Sequence, residues 1–171
     1  MNPKVLILMG SDSDWEVMNE SRKALLDMGV EIEVHVSSAH RTPARTSALA
    51  REAAGRGIQV VICGAGAAAH LAGVVAAETE LPVLGVPLAA TDLGGIDALL
   101  AIAQMPGGVP VATMAIGKAG ARNAGLLAAR ILALNDPELA ARVREQRVTM
   151  AREVEAKDAA LQIRLLADKK A

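Results

Sequence analysis

Three short stretches of this chain combine groups able to bind an anion or move a proton with a position at the end of an apolar run. The first is Gly10-Ser11-Asp12-Ser13-Asp14, which joins small hydroxyl side chains to the start of a predicted helix. Free backbone N–H groups and the dipole at a helix N-terminus favour a phosphate, and Ser11 and Ser13 can add hydroxyl bonds. Asp14 would repel a phosphate and is better suited to accept hydrogen bonds from a ribose hydroxyl. Plain helix capping accounts for Ser13 with Glu16, a capping box, and leaves Ser11 unexplained.

The second stretch is Ser37-Ser38-Ala39-His40-Arg41-Thr42-Pro43. It sets a guanidinium, which grips phosphate through two parallel bonds, beside an imidazole that exchanges protons near neutral pH. A solvated surface loop with an incidental histidine is the bland alternative. The third is Gly64-Ala65-Gly66-Ala67-Ala68-Ala69-His70, where glycines permit a tight strand-to-helix turn and close backbone approach to a ligand. His70 either aims into a cleft or is a satisfied structural residue; His35, inside an alternating segment, reads as structural.

The elements that must position these stretches are legible from periodicity. Val5 to Met9 is a continuous apolar run ended by Gly10, the pattern of a strand buried on both faces. A helix follows to about Met28, stopped by Gly29. Glu31 to Val36 alternates polar and apolar, fitting a strand with one exposed face. Thr42-Pro43 reads as the N-cap and first residue of a helix ending near Gly57. Further strands are expected at Val60 to Cys63, Val83 to Val86 and Val111 to Ala115. Helices are expected from Ala69, over Ile96 to Gln104 and through Ala119 to Leu134, and Asn135-Asp136-Pro137 opens a charged one running to Lys170.

Such alternation predicts an α/β fold, a three-layer doubly wound parallel sheet. It is expected as one domain, with 1–134 as core and 135–171 as a C-terminal helical extension. Ligands bind such sheets beyond the carboxyl ends of the strands, where strand order reverses. In the order 2-1-3-4-5 all three stretches meet there. The segment Ala119 to Leu134 has so little polar surface that its own domain or another subunit must cover most of it.

Composition removes several function classes. The net charge is −1 and Trp15 is the only aromatic residue, so neither a basic face nor stacking platforms exist for nucleic acid. A single cysteine, Cys63, rules out an intrachain disulfide and fits a reducing compartment. The apolar run after Met1-Asn2-Pro3-Lys4 is too short for a signal peptide. The uncharged stretch Ala98 to Gly117 is broken by Pro106, Gly107, Gly108 and Pro110, so no membrane span is expected and the protein is read as cytoplasmic. Gly64-x-Gly66-x-x-Ala69 mimics a dinucleotide fingerprint, yet the next strand ends at Gly85-Val86-Pro87 without an acidic residue for a ribose. Gly117-Lys118-Ala119 lacks the Ser or Thr of a phosphate-binding loop. No histidine or cysteine cluster has metal-ligand spacing, and Gly64 stands where a phosphoacceptor receiver domain has an aspartate.

Taken in order, Met9-Gly10-Ser11 with Ser13-Asp14-Trp15, Ser38-Ala39-His40-Arg41-Thr42-Pro43, Gly64-Ala65-Gly66 through Ala69-His70-Leu71, Leu81 to Pro87, Gln104-Met105-Pro106 and Gly117-Lys118-Ala119-Gly120-Ala121 resemble the N5-carboxyaminoimidazole ribonucleotide mutases, carboxylation-step enzymes of purine biosynthesis. The resemblance extends to about Leu134. It implies a flavodoxin-like subunit, a homo-octamer, a ribonucleotide substrate and no metal, organic cofactor or ATP. It further implies His40 as the catalytic histidine, with Ser11, Ser13, Asp14, Ser38, Ala39, Arg41, Gly66, His70 and Leu71 at substrate-binding or pocket-lining positions. Ala72 departs from the proline many relatives carry after His-Leu, and Ala89 to Gly94 matches only loosely. Arg41-Thr42-Pro43 favours the bacterial mutase type over animal-type relatives, which carry Lys-Gly-Pro.

The implied chemistry suits the inventory. A carbamate on an exocyclic nitrogen can release carbon dioxide without a metal, and the enamine-like ring carbon can recapture it. One acid/base group, assigned to His40, protonates the departing nitrogen and later deprotonates the ring carbon. Small apolar residues such as Ala67 and Ala68 suit a pocket that must exclude water. The rival readings are a direct aminoimidazole ribonucleotide carboxylase, a non-catalytic flavodoxin-like nucleotide or flavin module, and a purely structural oligomer.

Overall fold

The structure, a computed structural model, describes residues 2–168. Strand β1 (Val5–Met9) lies between β2 (Ile32–Val36) and β3 (Val60–Gly66), and β4 (Val83–Leu88) and β5 (Ala112–Thr113) extend the sheet in the order β2-β1-β3-β4-β5. All four pairings are parallel. This is the doubly wound parallel sheet the alternation predicts, in the flavodoxin-like form the resemblance implies. Strand order reverses between β1 and β3.

Every residue of β1 is buried, because helices cover both faces of the sheet. On one face Val5, Ile7, Met9, Val60 and Ile62 pack with Met18 and Leu25 of α1 (Trp15–Asp27) and with Ala121, Ala124 and Ala128 of α5 (Gly117–Leu132). On the other, Leu6, Leu8, Val61 and Cys63 meet α2 (Pro43–Ala53), α3 (Leu71–Ala76) and α4 (Ile96–Ala103). Full burial of each large aliphatic side chain contributes roughly 1.5–3 kcal/mol.

One face of the apolar helix α5 is covered by its own chain, and Leu126, Leu127 and Ile131 are half-buried beside it. A Cβ at Gly120 would fall 1.6 Å from the Ala115 carbonyl oxygen, and one at Gly125 would fall 2.6 Å from that of Ser21. The buried Ser21 hydroxyl donates to the Ala121 carbonyl at 2.6 Å and locks α1 to α5.

Several local expectations are corrected. The helix after β1 is not opened by Ser13 with Glu16. A 3₁₀ turn, Asp12–Asp14, precedes α1, so the N-cap moves back to Ser11 and Asp14 closes the box. Glu16 instead pairs with Lys118 at 2.6 Å. Strand β2 has no fully exposed face along most of its length. Ile32 and Val34 pack on the core, while Glu33 is held by Arg56 and by His35. Strand β3 runs to Gly66, not Cys63, because β4 pairs with it as far as Leu88. Helix α3 starts at Leu71, after Ala67 (φ 52°) and Ala69 (φ 45°) adopt left-handed backbone. Strand β5 is only two residues long.

The C-terminal extension is one helix, α6 (Pro137–Asp168), and its predicted last residues, 169–170, lie outside the described part. It docks through buried Leu139 and through Arg142, whose Nε donates to the Met28 carbonyl at 2.9 Å, just beyond α1. From residue 147 onward it is exposed, including Val154, Ile163 and Leu166. No helix among the described residues is long and apolar enough to cross a membrane.

Candidate active site

The carboxyl ends of β1, β2 and β3 open onto a cavity of about 380 Å³ at the point of strand-order reversal. Its lining includes Ser11, Ser13 and Asp14 after β1, then Ser38, Ala39, His40 and Arg41 after β2, then Gly66, His70 and Leu71 after β3. All ten residues singled out in the sequence border this one space. His35 does not; its Nε2 lies 2.7 Å from Glu33 Oε1, away from the cavity.

In the β1 loop, Ser11 caps the short turn. Its backbone N–H donates to Asp14 Oδ2 at 3.0 Å, and Ser13 Oγ donates to Ser11 Oγ at 2.9 Å. Burial raises the proton affinity of Asp14 above the ordinary carboxylate level. Hydrogen bonds from the Ser11 and Gly10 backbones, and the Arg41 charge, pull the other way.

The β2 loop is braced by hydroxyl groups. Ser37 Oγ lies 2.8 Å from Thr46 Oγ1 in the buried layer. Thr42 provides no helix cap. Its Oγ1 accepts from the Ser38 N–H at 3.0 Å and donates to the Ser38 carbonyl at 3.1 Å. Ser38 Oγ accepts from the Arg41 backbone N–H at 3.2 Å, and Arg41 Nη2 donates to the Gly10 carbonyl at 2.8 Å. The guanidinium thus ties the β1 loop to the β2 loop at the rim of the cavity.

The β3 loop is shaped by close approach. Gly64 lies within the strand, where a Cβ would come 2.3 Å from Met18 Sδ. At Gly66 a Cβ would come 2.5 Å from that of Ala90. These glycines make room for protein neighbours, and the turn itself is made by left-handed alanines. It delivers His70 so that its Nδ1 lies 2.8 Å from His40 Nε2, with ring planes at 80°.

Sequence reasoning missed the Gly10 carbonyl and Ala90 as parts of the site. Ala90 follows β4, so the strand-end rule applied to a fourth strand would have found it. Among the described residues no three His, Cys, Asp or Glu side chains are grouped to hold a metal ion. What the cleft offers is hydroxyl, guanidinium and backbone donors for an anion, one acceptor carboxylate, and a pair of imidazoles for proton transfer.

Residues 4–153 match the family model described as AIR carboxylase. The N5-carboxyaminoimidazole ribonucleotide mutase of Bacillus subtilis is 56% identical over 147 residues, spanning 86% of this chain and 91% of that protein. The protein of the same name from Mycobacterium leprae is 55% identical over 160 residues, or 94% of this chain and 92% of that one. The crystal structure of Treponema denticola PurE has a TM-score of 0.84 at 29% identity, covering 93% of this chain and 98% of that one. With the family model spanning most of its length, this chain belongs to the AIR carboxylase family.

Proposed function

We propose that this chain is an N5-carboxyaminoimidazole ribonucleotide mutase, an isomerase that moves a carboxyl group from the exocyclic nitrogen to the ring carbon in purine biosynthesis. The product is 4-carboxy-5-aminoimidazole ribonucleotide. The name is that of relatives more than half identical over most of the chain. The observation that supports the mechanism is one cavity joining a rim of Ser11, Ser13 and Arg41 to an imidazole pair.

In this reading Ser11, Ser13 and Arg41 hold the phosphate, and Asp14 accepts from a ribose hydroxyl. Ser38 aims Arg41, while Ala39, Gly66, His70 and Leu71 border the ring. His40 donates a proton to the exocyclic nitrogen as its bond to the carboxyl carbon breaks, and the electron pair stays on nitrogen. The freed carbon dioxide is attacked by the ring carbon, whose proton returns to His40. No net proton is consumed, so a single acid/base group suffices. The apolar wall of Ala67 and Ala68 limits escape of the intermediate.

The direct carboxylase is the nearest rival, and the family name permits it. An assay free of metal and ATP separates the two: the carbamate ribonucleotide should give carboxylated imidazole, followed by absorbance. Equal or faster reaction of the free aminoimidazole with bicarbonate would overturn the mutase assignment. A yellow flavin chromophore on the purified protein would favour a flavodoxin-like binding module instead.

A homo-oligomer, in the resemblance an octamer, accompanies this reading. The exposed apolar side chains along α6 favour such assembly, and light scattering at micromolar protein tests it. The cytoplasm, where the purine precursor is made, is the corresponding location.

A further inference from the structure

The only described bond between the β2-loop and β3-loop side chains of the cavity joins His40 Nε2 to His70 Nδ1, at 2.8 Å. Two imidazole nitrogens facing each other at this distance share one hydrogen, because two would clash and repel. That constraint limits where the remaining hydrogens of the pair can sit.

We propose that His70 is a positioning residue for His40: it accepts from His40 Nε2–H throughout the reaction and leaves His40 Nδ1 as the proton-transferring atom. The inference rests on the mutase reading, in which His40 carries the proton. The acid form of His40 is an imidazolium with hydrogen on both nitrogens, so in that form Nε2 must be the donor and His70 Nδ1 the acceptor. If His70 instead donated, protonating His40 would place two hydrogens on one bond and break it. With His70 accepting, the bond survives both states. The proton leaves Nδ1 for the exocyclic nitrogen and returns to Nδ1 from the ring carbon, while Nε2–H stays put. His70 remains neutral, with its own hydrogen on Nε2.

The surrounding backbone suits a fixed orienting group. His70 follows Ala69, held at φ 45° by a bond from its N–H to the Gly66 carbonyl at 3.0 Å. His40 lies inside the hydroxyl-braced turn of Ser38 and Thr42. Neither ring is buried in the core, so the pair gains strength when a bound ribonucleotide excludes water. The division of labour is that of a base oriented by a third group, with an imidazole in place of the usual carboxylate.

The test compares His70→Leu with His70→Asn, whose side-chain oxygen can accept near the position of Nδ1. His70→Leu should lower kcat roughly 10–100-fold with KM within about twofold, whereas His70→Asn should stay within a few-fold of the parent. Nitrogen-15 spectra of the three histidines in the ligand-free protein give a readout independent of turnover. Neutral His40 should be the Nε2–H tautomer in the parent and in His70→Asn, and a mixture in His70→Leu. Unchanged kcat in His70→Leu, equal loss in both variants, or an unchanged His40 tautomer in His70→Leu overturns the proposal. Failure of the parent protein to turn over the carbamate sinks the mutase reading alone, because the tautomer comparison still decides the role of His70.

Discussion

The loop after β2 and the loop after β3 each bring a histidine to the same cavity, and they are held in place differently. Ser37, Ser38 and Thr42 brace the first with hydroxyl bonds, and Arg41 fastens it to Gly10. The second relies on shape: Gly64 lies under Met18, Gly66 beside Ala90, and Ala67 and Ala69 are in backbone conformations that alanine seldom adopts. Polar bracing tolerates small movements because the bonds of Ser38, Thr42 and Arg41 lie at the surface and can be exchanged for ones with water, with only Ser37–Thr46 buried beneath them. Steric bracing does not, since overlap rises steeply with displacement. The contrast teaches that the donor of the proposed proton step sits on the adaptable loop and its orienting partner on the stiff one.

The largest expected effect falls on the adaptable side. His40→Asn should reduce turnover of the carbamate about 10²–10⁴-fold while leaving thermal unfolding nearly unchanged, because the ring is exposed. Retained turnover would remove His40 from its role. On the stiff side, Gly64→Ala should cost about 1–3 kcal/mol in denaturant unfolding, as the new methyl displaces buried Met18. A neutral result would show that the core beneath this loop yields as easily as the hydroxyl-braced turn.

Thr42→Val removes both hydroxyl bonds to Ser38 at nearly constant volume and should cost about 1 kcal/mol or less, since water can replace them. A larger loss would mean that the polar loop is as rigid as its counterpart. Ala67→Gly relieves a left-handed alanine on an exposed turn and should raise unfolding free energy by up to roughly 1 kcal/mol. A lower melting temperature would contradict the strain.

The smallest effect concerns Asp14, whose proton affinity is raised in the folded chain, chiefly by burial. Its protonated form is favoured by folding, so its contribution to stability is lost as pH rises through the folded-state value. Asp14→Asn should therefore gain on the parent between pH 4 and pH 7 in urea unfolding. A constant difference would argue against this source of pH dependence.

Much of the fold could be read because apolar periodicity reports burial directly. Val5 to Met9 could only be a central strand, and the regular alternation of strands and helices dictated a parallel sheet. The three strand-end stretches could be placed together once their strands were ordered. What escaped was local or tertiary. The 3₁₀ turn shifted the cap from Ser13 to Ser11, and a residue-type pattern does not distinguish these two serines. Positive φ at Ala67 and Ala69 is invisible because alanine carries no signal for it, unlike Gly29 or Gly57. The His40–His70 contact joins side chains thirty positions apart. It depends on ring orientation, which no sequence pattern encodes.

Arg41 has one further consequence. With one arm on the Gly10 carbonyl and its backbone on Ser38, this long side chain is already directed along the cavity rim. In the proposed role, capture of a phosphate starts from a guanidinium already aimed, so affinity should depend less on ordering than on the planar fork that lysine lacks. A lysine there would keep the charge but uncouple the first strand's turn from the second.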